Sequence, residues 1–242
     1  MDGRQKDDAD HVRDWAALHA TAPPSGFVGG WIRAAAAVAR PIVRAGISPN
    51  TVTVAALVVA IVAVPLAAID GWIGPAAACV AVTLSGLLDS LDGAVAVQAG
   101  RTTKVGFLLD SVLDRVADAA FPVALVVATG GGAAATRLAV AATAACWWLE
   151  YVRARASLAA AGMGDWKQVV TPGERPTRIV LTAVGLGLPF LALAALWAHV
   201  VIVGTSGLFL FGSSTRRLRA RDREEGTGGP PAPTGCPPAP TG

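Results

Sequence analysis

Apolar runs dominate the chain and recur at residues 52–69, 72–88, 105–128, 136–149, 179–197 and 198–211. The longer ones approach the roughly 20 residues that a helix needs to cross the hydrocarbon core of a bilayer. The pattern predicts an all-α integral membrane bundle of six transmembrane helices. The sixth run is the weakest, because it is short and Thr205 and Ser206 interrupt it; five spans with a re-entrant end are the alternative. Residues 28–45 mix apolar positions with Arg33, Arg40 and Arg44, which predicts an amphipathic helix lying along the inner membrane surface and bent at Pro41. Residues 46–51 read as a turn into the first span, with Pro49 as breaker and Asn50 as cap. The expected organisation is therefore a disordered segment over 1–26, an interfacial helix and turn over 27–50, a six-helix membrane domain over 51–213, and a tail over 214–242. That tail begins basic and ends in two PPAPTG repeats, a Pro/Gly-rich stretch unable to bury a core.

Composition agrees with the pattern. In 242 residues, 53% are hydrophobic and 15% charged, with a mean hydropathy of +0.53, outside the range of ordinary soluble domains. Residues 1–26 carry Asp7, Asp8, Asp10 and Asp14 where the apolar core of a signal peptide would lie, so the first span is expected to direct insertion. Cys79, Cys146 and Cys236 are widely separated and form no metal or disulfide pattern.

The net charge of +3 says less than its placement. Arginine and lysine gather in alternate connections: Arg33, Arg40 and Arg44, Arg101 and Lys104, then Arg153, Arg155, Lys167, Arg175 and Arg178, and finally Arg216 to Arg223. The intervening connections, near residues 70–71, 129–135 and 198–199, carry none; Arg137, at an outer end, is the exception. By the positive-inside rule both termini face the cytosol, which makes this a multi-pass protein of the cell membrane. The basic run 216–223 reads as a stop-transfer anchor for anionic lipid head groups, with no call for nucleic acid.

Against that background the acidic residues of the second and third runs stand out. An ionisable group near the bilayer centre costs roughly 2.5 to 3.5 kcal/mol on insertion scales and is kept mainly for function. Asp89 and Asp92 are three residues apart and Asp110 and Asp114 four apart, so each pair leaves one face of a helix. If both helix ends meet on the cytosolic side, four carboxylates converge, and either several are protonated or cations sit between them. A set of oxygen ligands without His or Cys suits Mg²⁺ or Mn²⁺, held by Asp89, Asp92, Asp110 and Asp114. Gly93 and Gly106 remove side chains where a ligand could approach the backbone. Arg115 and Asp118 extend the polar run, as a buried ion pair or as direct participants.

The pattern D-x-x-D-G-x-x-A…G-x-x-x-D-x-x-x-D, from Asp89 to Asp114, resembles the signature of the CDP-alcohol phosphatidyltransferase family. The likeness covers roughly residues 28–212 and includes Ser48-Pro49-Asn50-x-x-Thr53. Residues 150–156 (EYVRARA) and 173–178 (GERPTR) look like segments of the actinobacterial phosphatidylinositol phosphate synthases.

The resemblance implies six spans, a homodimer packed through them, and transfer of a phosphatidyl group from CDP-diacylglycerol to a polar alcohol with release of CMP, in phospholipid biosynthesis. It implies that metal on Asp89, Asp92 and Asp110 grips the donor's diphosphate, that Asp114 is the base on the attacking hydroxyl, and that Gly93 and Gly106 line the donor's side. Arg153, Arg155, Arg175 and Arg178 would hold an acceptor phosphate, for which guanidinium forks are well shaped. The acceptor would be inositol phosphate, then glycerol phosphate, then phosphatidylglycerol, in that order.

One position departs from the signature. Val97 stands where the family carries an arginine for the donor's phosphates, which points to Arg101 or Lys104 as substitutes. Two other readings remain: a catalytically silent lipid-binding relative, which Val97 would allow, and a cation transporter using the aspartates, whose usual midplane site does not match carboxylates abutting basic loops.

Overall fold

A computed structural model describes residues 26–163, 166–167 and 169–226, and every regular element among them is helical. Of the segments expected to be disordered, residues 1–25 and 227–242 lie outside the described residues. In chain order the helices are α1 (Gly26–Arg44), α2 (Pro49–Ala67), α3 (Ile73–Ala99), α4 (Lys104–Ala128), α5 (Ala133–Ala159), α6 (Arg175–Gly187) and α7 (Ala192–Gly226), with a short 3₁₀ turn at Pro189–Leu191. Among the described residues, three segments are long and apolar enough to cross a membrane: Pro49–Ala67, Ile73–Ala99 and Pro189–Glu224.

The bundle is built inside out relative to a soluble protein. On α2 the buried positions are Val52, Thr53, Ala56, Ala60, Ala63 and Ala67, a stripe of small side chains at helical spacing, while Val54, Val58, Ile61 and Val62 are exposed. Small residues let helices approach closely where lipid offers larger side chains an apolar surrounding, so packing takes over from the hydrophobic effect. The same rule gathers Ala78, Ala81, Ala117, Ala124, Ala192 and Ala195 in the main core with Phe121, Leu125 and Leu196. The most extensive contacts join α2 to α3, α5 to α7, and α2 to α4, and α6 leans across α3.

Several boundaries differ from those the hydropathy pattern predicts. Ser48 caps α2, its Oγ accepting from the Thr51 amide at 3.2 Å. Pro49 opens the helix rather than breaking it, since a first-turn amide has no intrahelical partner to lose. Pro41 lies within α1 without ending it. Helix α3 runs on past the apolar run to Ala99, where Gly100, in the left-handed region at φ 61°, caps it. The expected break at residues 198–199 falls instead at Leu188–Leu191, because Pro189 removes an amide and pushes Leu188 out of the helical region. His199 sits inside α7, its ring nitrogens 2.9 Å from the Ala195 carbonyl and 3.4 Å from Thr182 Oγ1. The polar ring that looked like a loop residue is thus accommodated in the bundle. The basic stretch from 216 also continues α7 as helix, to Gly226, and Arg217 lies over the Trp166 ring at 4.4 Å.

Candidate metal and phosphate site

Two close approaches bring the polar residues together. A Cβ on Gly86 would lie 2.6 Å from Ile179 Cδ1, so the missing side chain lets α6 rest directly on α3. The helices run in opposite senses there. Asp89, one turn after Gly86, and Arg175, one turn before Ile179, therefore fall toward the same end of the bundle. Gly106 acts alike at the start of α4: a Cβ there would sit 3.1 Å from Thr103 Oγ1 and 3.2 Å from Asn50 Oδ1, wedged between the cap of α4 and the first turn of α2.

At this junction Asp89, Asp92 and Asp110 each present a carboxylate oxygen, and the three atoms lie within 4.8 Å of one another. Asp92 is buried, and its Oδ2 accepts a 2.7 Å hydrogen bond from Thr53 Oγ1 on α2. Three half-buried or buried oxygens from two helices, one of them oriented by an outer hydroxyl, fit a hard divalent cation by donor type and spacing. Gly93 has nothing within 4 Å of where a Cβ would stand, leaving open space beside Asp92. Asp114, the fourth expected ligand, is not in this 4.8 Å group but is bridged to Asp89 by Arg175. Its carboxylate contacts the guanidinium of Arg175, whose Nη1 also lies 3.1 Å from Asp89.

Next to this cluster runs a second set of charges, linked pair by pair. Arg178, 1% exposed, donates to Asp118 at 2.6 Å and to Glu150 at 2.7 Å. Arg115 reaches Asp118 at 3.2 Å and Glu150 at 3.4 Å. Arg153 joins Glu150 at 3.4 Å to Glu174 at 2.6 Å, and Glu174 Oε1 also accepts from the amide and hydroxyl of Thr171 at 2.9 and 3.0 Å. Glu150 lies just beyond the apolar run of α5.

Of the arginines expected at an acceptor phosphate, Arg153 and Arg175 are partly exposed, Arg155 is exposed, and Arg178 is buried with its guanidinium spent on Asp118 and Glu150. Arg101 and Lys104 are both exposed at the α3–α4 turn. Sequence reasoning missed Glu150 and Glu174 as the carboxylates that tie these arginines together, and Thr53 as the support of Asp92. The signals available were the spacing of Glu150 three residues before Arg153 and the acidic residue immediately preceding Arg175.

Residues 46–210 match the family model described as CDP-alcohol phosphatidyltransferase. The phosphatidylinositol phosphate synthase of Mycolicibacterium smegmatis is 32% identical over 185 residues, covering 71% of this chain and 79% of that protein. The synthase of Cutibacterium acnes is 32% identical over 186 residues, 73% of this chain and 84% of its own. Among solved structures, the phosphatidylinositol phosphate synthase of Mycobacterium tuberculosis in complex with manganese and citrate matches with a TM-score of 0.61 at 25% identity, over 74% of this chain and 88% of that one. The same enzyme with CDP-DAG bound matches with a TM-score of 0.61 at 24% identity, over 75% of this chain and 94% of that one, a likeness of fold.

Proposed function

The chain belongs to the CDP-alcohol phosphatidyltransferase family, and from that premise we propose that it transfers a phosphatidyl group from CDP-diacylglycerol to a phosphate-bearing alcohol, releasing CMP. Inositol phosphate is the first candidate acceptor and glycerol phosphate the second. The observation that carries this reading is the convergence of Asp89, Asp92 and Asp110 beside a set of arginines at one end of the bundle.

Asp89, Asp92 and Asp110 would hold Mg²⁺ or Mn²⁺, which when bound neutralises charge on the donor's diphosphate. Gly93 leaves room for the nucleotide end of the donor beside Asp92. The acceptor's hydroxyl oxygen forms a bond to the β-phosphorus as the bond from that phosphorus to CMP breaks, and Asp114, outside the trio, takes the hydroxyl proton. Phosphoryl transfer asks mainly for such placement and charge neutralisation. Arg153 and Arg155 meet the acceptor's phosphate, while Arg178 holds Glu150 and through it Arg153.

The topology belongs to the same proposal. Six spans are supported by the outward apolar residues of the other three helices: Val105, Phe107, Leu108 and Val112 on α4, Val140 on α5, and Val180 and Val184 on α6. Helix α1 lies along the inner surface, packing Ala39 on Ala94 and Val95 of α3. Both termini and the site face the cytosol of the cell membrane, in keeping with the distribution of arginines, and the chain works as a homodimer. Helix α3 supports this depth: Asp89 lies 16 residues past Ile73, about 24 Å along the axis at 1.5 Å per residue, near one face of a core about 30 Å thick.

Purified protein incubated with labelled CDP-diacylglycerol, Mn²⁺ and a panel of acceptors tests the reading. Release of CMP that depends on an acceptor and is lost in Asp114→Asn is the expected result. Donor binding without CMP from any acceptor would make the protein a silent lipid-binding relative instead.

A further inference from the structure

The last two turns of α3, residues 93–99, carry no charged side chain, so a donor diphosphate lying beside Asp92 meets no cation on that helix. Arg101 and Lys104 in the following turn are exposed, and among the described residues neither forms an ion pair with the aspartate trio. Among the described residues, the cation that does touch the trio comes from another helix. Arg175, at the first turn of α6, has a side chain only 12% exposed and reaches Asp89 and Asp114 together. The Nε donors of Arg175, Arg178 and Arg115 are all buried without a hydrogen-bond partner. Of the three, Arg175's belongs to the guanidinium that touches the trio, and Arg178's guanidinium is already shared between Asp118 and Glu150. A buried arginine with donor capacity left over suits the oxygens of a phosphate, which its planar fork can grip two at a time.

We propose that Arg175 is a donor-binding residue: it supplies, from α6, the cation for the diphosphate of CDP-diacylglycerol that α3 lacks at Val97. Arg101 and Lys104 are then bystanders, and Arg175 leaves the acceptor's set to Arg153 and Arg155. The identity of the donor rests on the function proposed above. The placement of Arg175 rests on the Gly86–Ile179 contact that sets α6 against α3.

The test compares wild type, Arg175→Gln and Arg175→Lys, purified with Mn²⁺, for the dissociation constant of CDP-diacylglycerol and for the KM of inositol phosphate and glycerol phosphate at saturating donor. Arg175→Gln is expected to weaken donor binding about tenfold or more, the size of a lost charge-assisted hydrogen bond. Arg175→Lys, which keeps the charge and loses the fork, is expected to weaken it about threefold. Neither should move the acceptor KM by more than about twofold, which separates this role from an acceptor contact. Unchanged donor binding in a folded variant, or an acceptor KM that rises more than the donor constant, overturns the proposal. If Arg175→Gln does not fold, the lysine variant decides by the same two readings. A wild type that binds CDP-diacylglycerol and releases no CMP defeats the transfer reading alone, because the binding comparison still judges Arg175. A wild type that binds no CDP-diacylglycerol defeats both.

Discussion

Two groups of buried charge sit side by side in this bundle and differ in their balance. In one, Asp118, Glu150 and Glu174 are matched by Arg115, Arg153 and Arg178, each linked to its neighbours by ion pairs of 2.6 to 3.4 Å. In the other, Asp89, Asp92, Asp110 and Asp114 outnumber the guanidiniums that reach them, Arg175 closely and Arg115, shared with the first group, 3.9 Å from Asp114. Taking charges out of water costs several kcal/mol per ion, and only close, well-shaped pairing returns it. The matched group meets that condition by itself and so can serve as a fastener between α4, α5 and α6. The unmatched group cannot, and its excess of negative oxygen is what a divalent cation and a diphosphate would share between them. Balance, more than burial, separates the part that holds the bundle from the part that does chemistry.

The comparison can be broken most severely at a ligand. Asp110→Asn should lower CMP release by about a thousandfold or more, because bound metal supplies several kcal/mol of charge stabilisation, while the melting temperature holds steady or rises as like charges are thinned. Activity assays beside thermal melts check both halves. The matched group should behave in the opposite way. Arg178→Met leaves Asp118 only its 3.2 Å pair with Arg115 and should cost about 3 kcal/mol in unfolding free energy, whereas Asp118→Asn with Arg178→Met, which removes both charges, should recover most of it. Denaturant melts of the purified variants read this out.

A smaller effect is expected where the unmatched group is only oriented. Thr53→Val should weaken Mn²⁺ binding by about 10- to 100-fold and Thr53→Ser should restore it, as for other outer partners of metal ligands; a Mn²⁺ titration followed by thermal shift measures it. The smallest change concerns Val97. With Arg175 already present, Val97→Arg should tighten CDP-diacylglycerol binding by no more than about threefold in a direct binding assay, since a second guanidinium adds to a site already supplied.

The sequence allowed the unmatched group to be anticipated because helical periodicity alone puts Asp89 with Asp92 and Asp110 with Asp114. It did not show that Asp114 turns to Arg175 while the other three converge. That division depends on how closely α6 approaches α3 at Gly86, a contact between residues 93 positions apart. The matched group was legible only in fragments, since its carboxylates and arginines come from three helices and a loop and no local spacing joins Asp118 to Arg178. The last helix was misjudged for a simpler reason. Hydropathy placed a break at the polar His199, while the backbone chemistry of Pro189 placed it ten residues earlier.

The most direct test of the account is Mn²⁺ binding by purified protein, measured for wild type, Asp110→Asn and the double variant Asp118→Asn with Arg178→Met. The account predicts saturable binding in wild type, its loss in Asp110→Asn, and its persistence in the double variant. Binding that survives in Asp110→Asn and vanishes in the double variant would put the metal in the matched group and contradict the division drawn between the two.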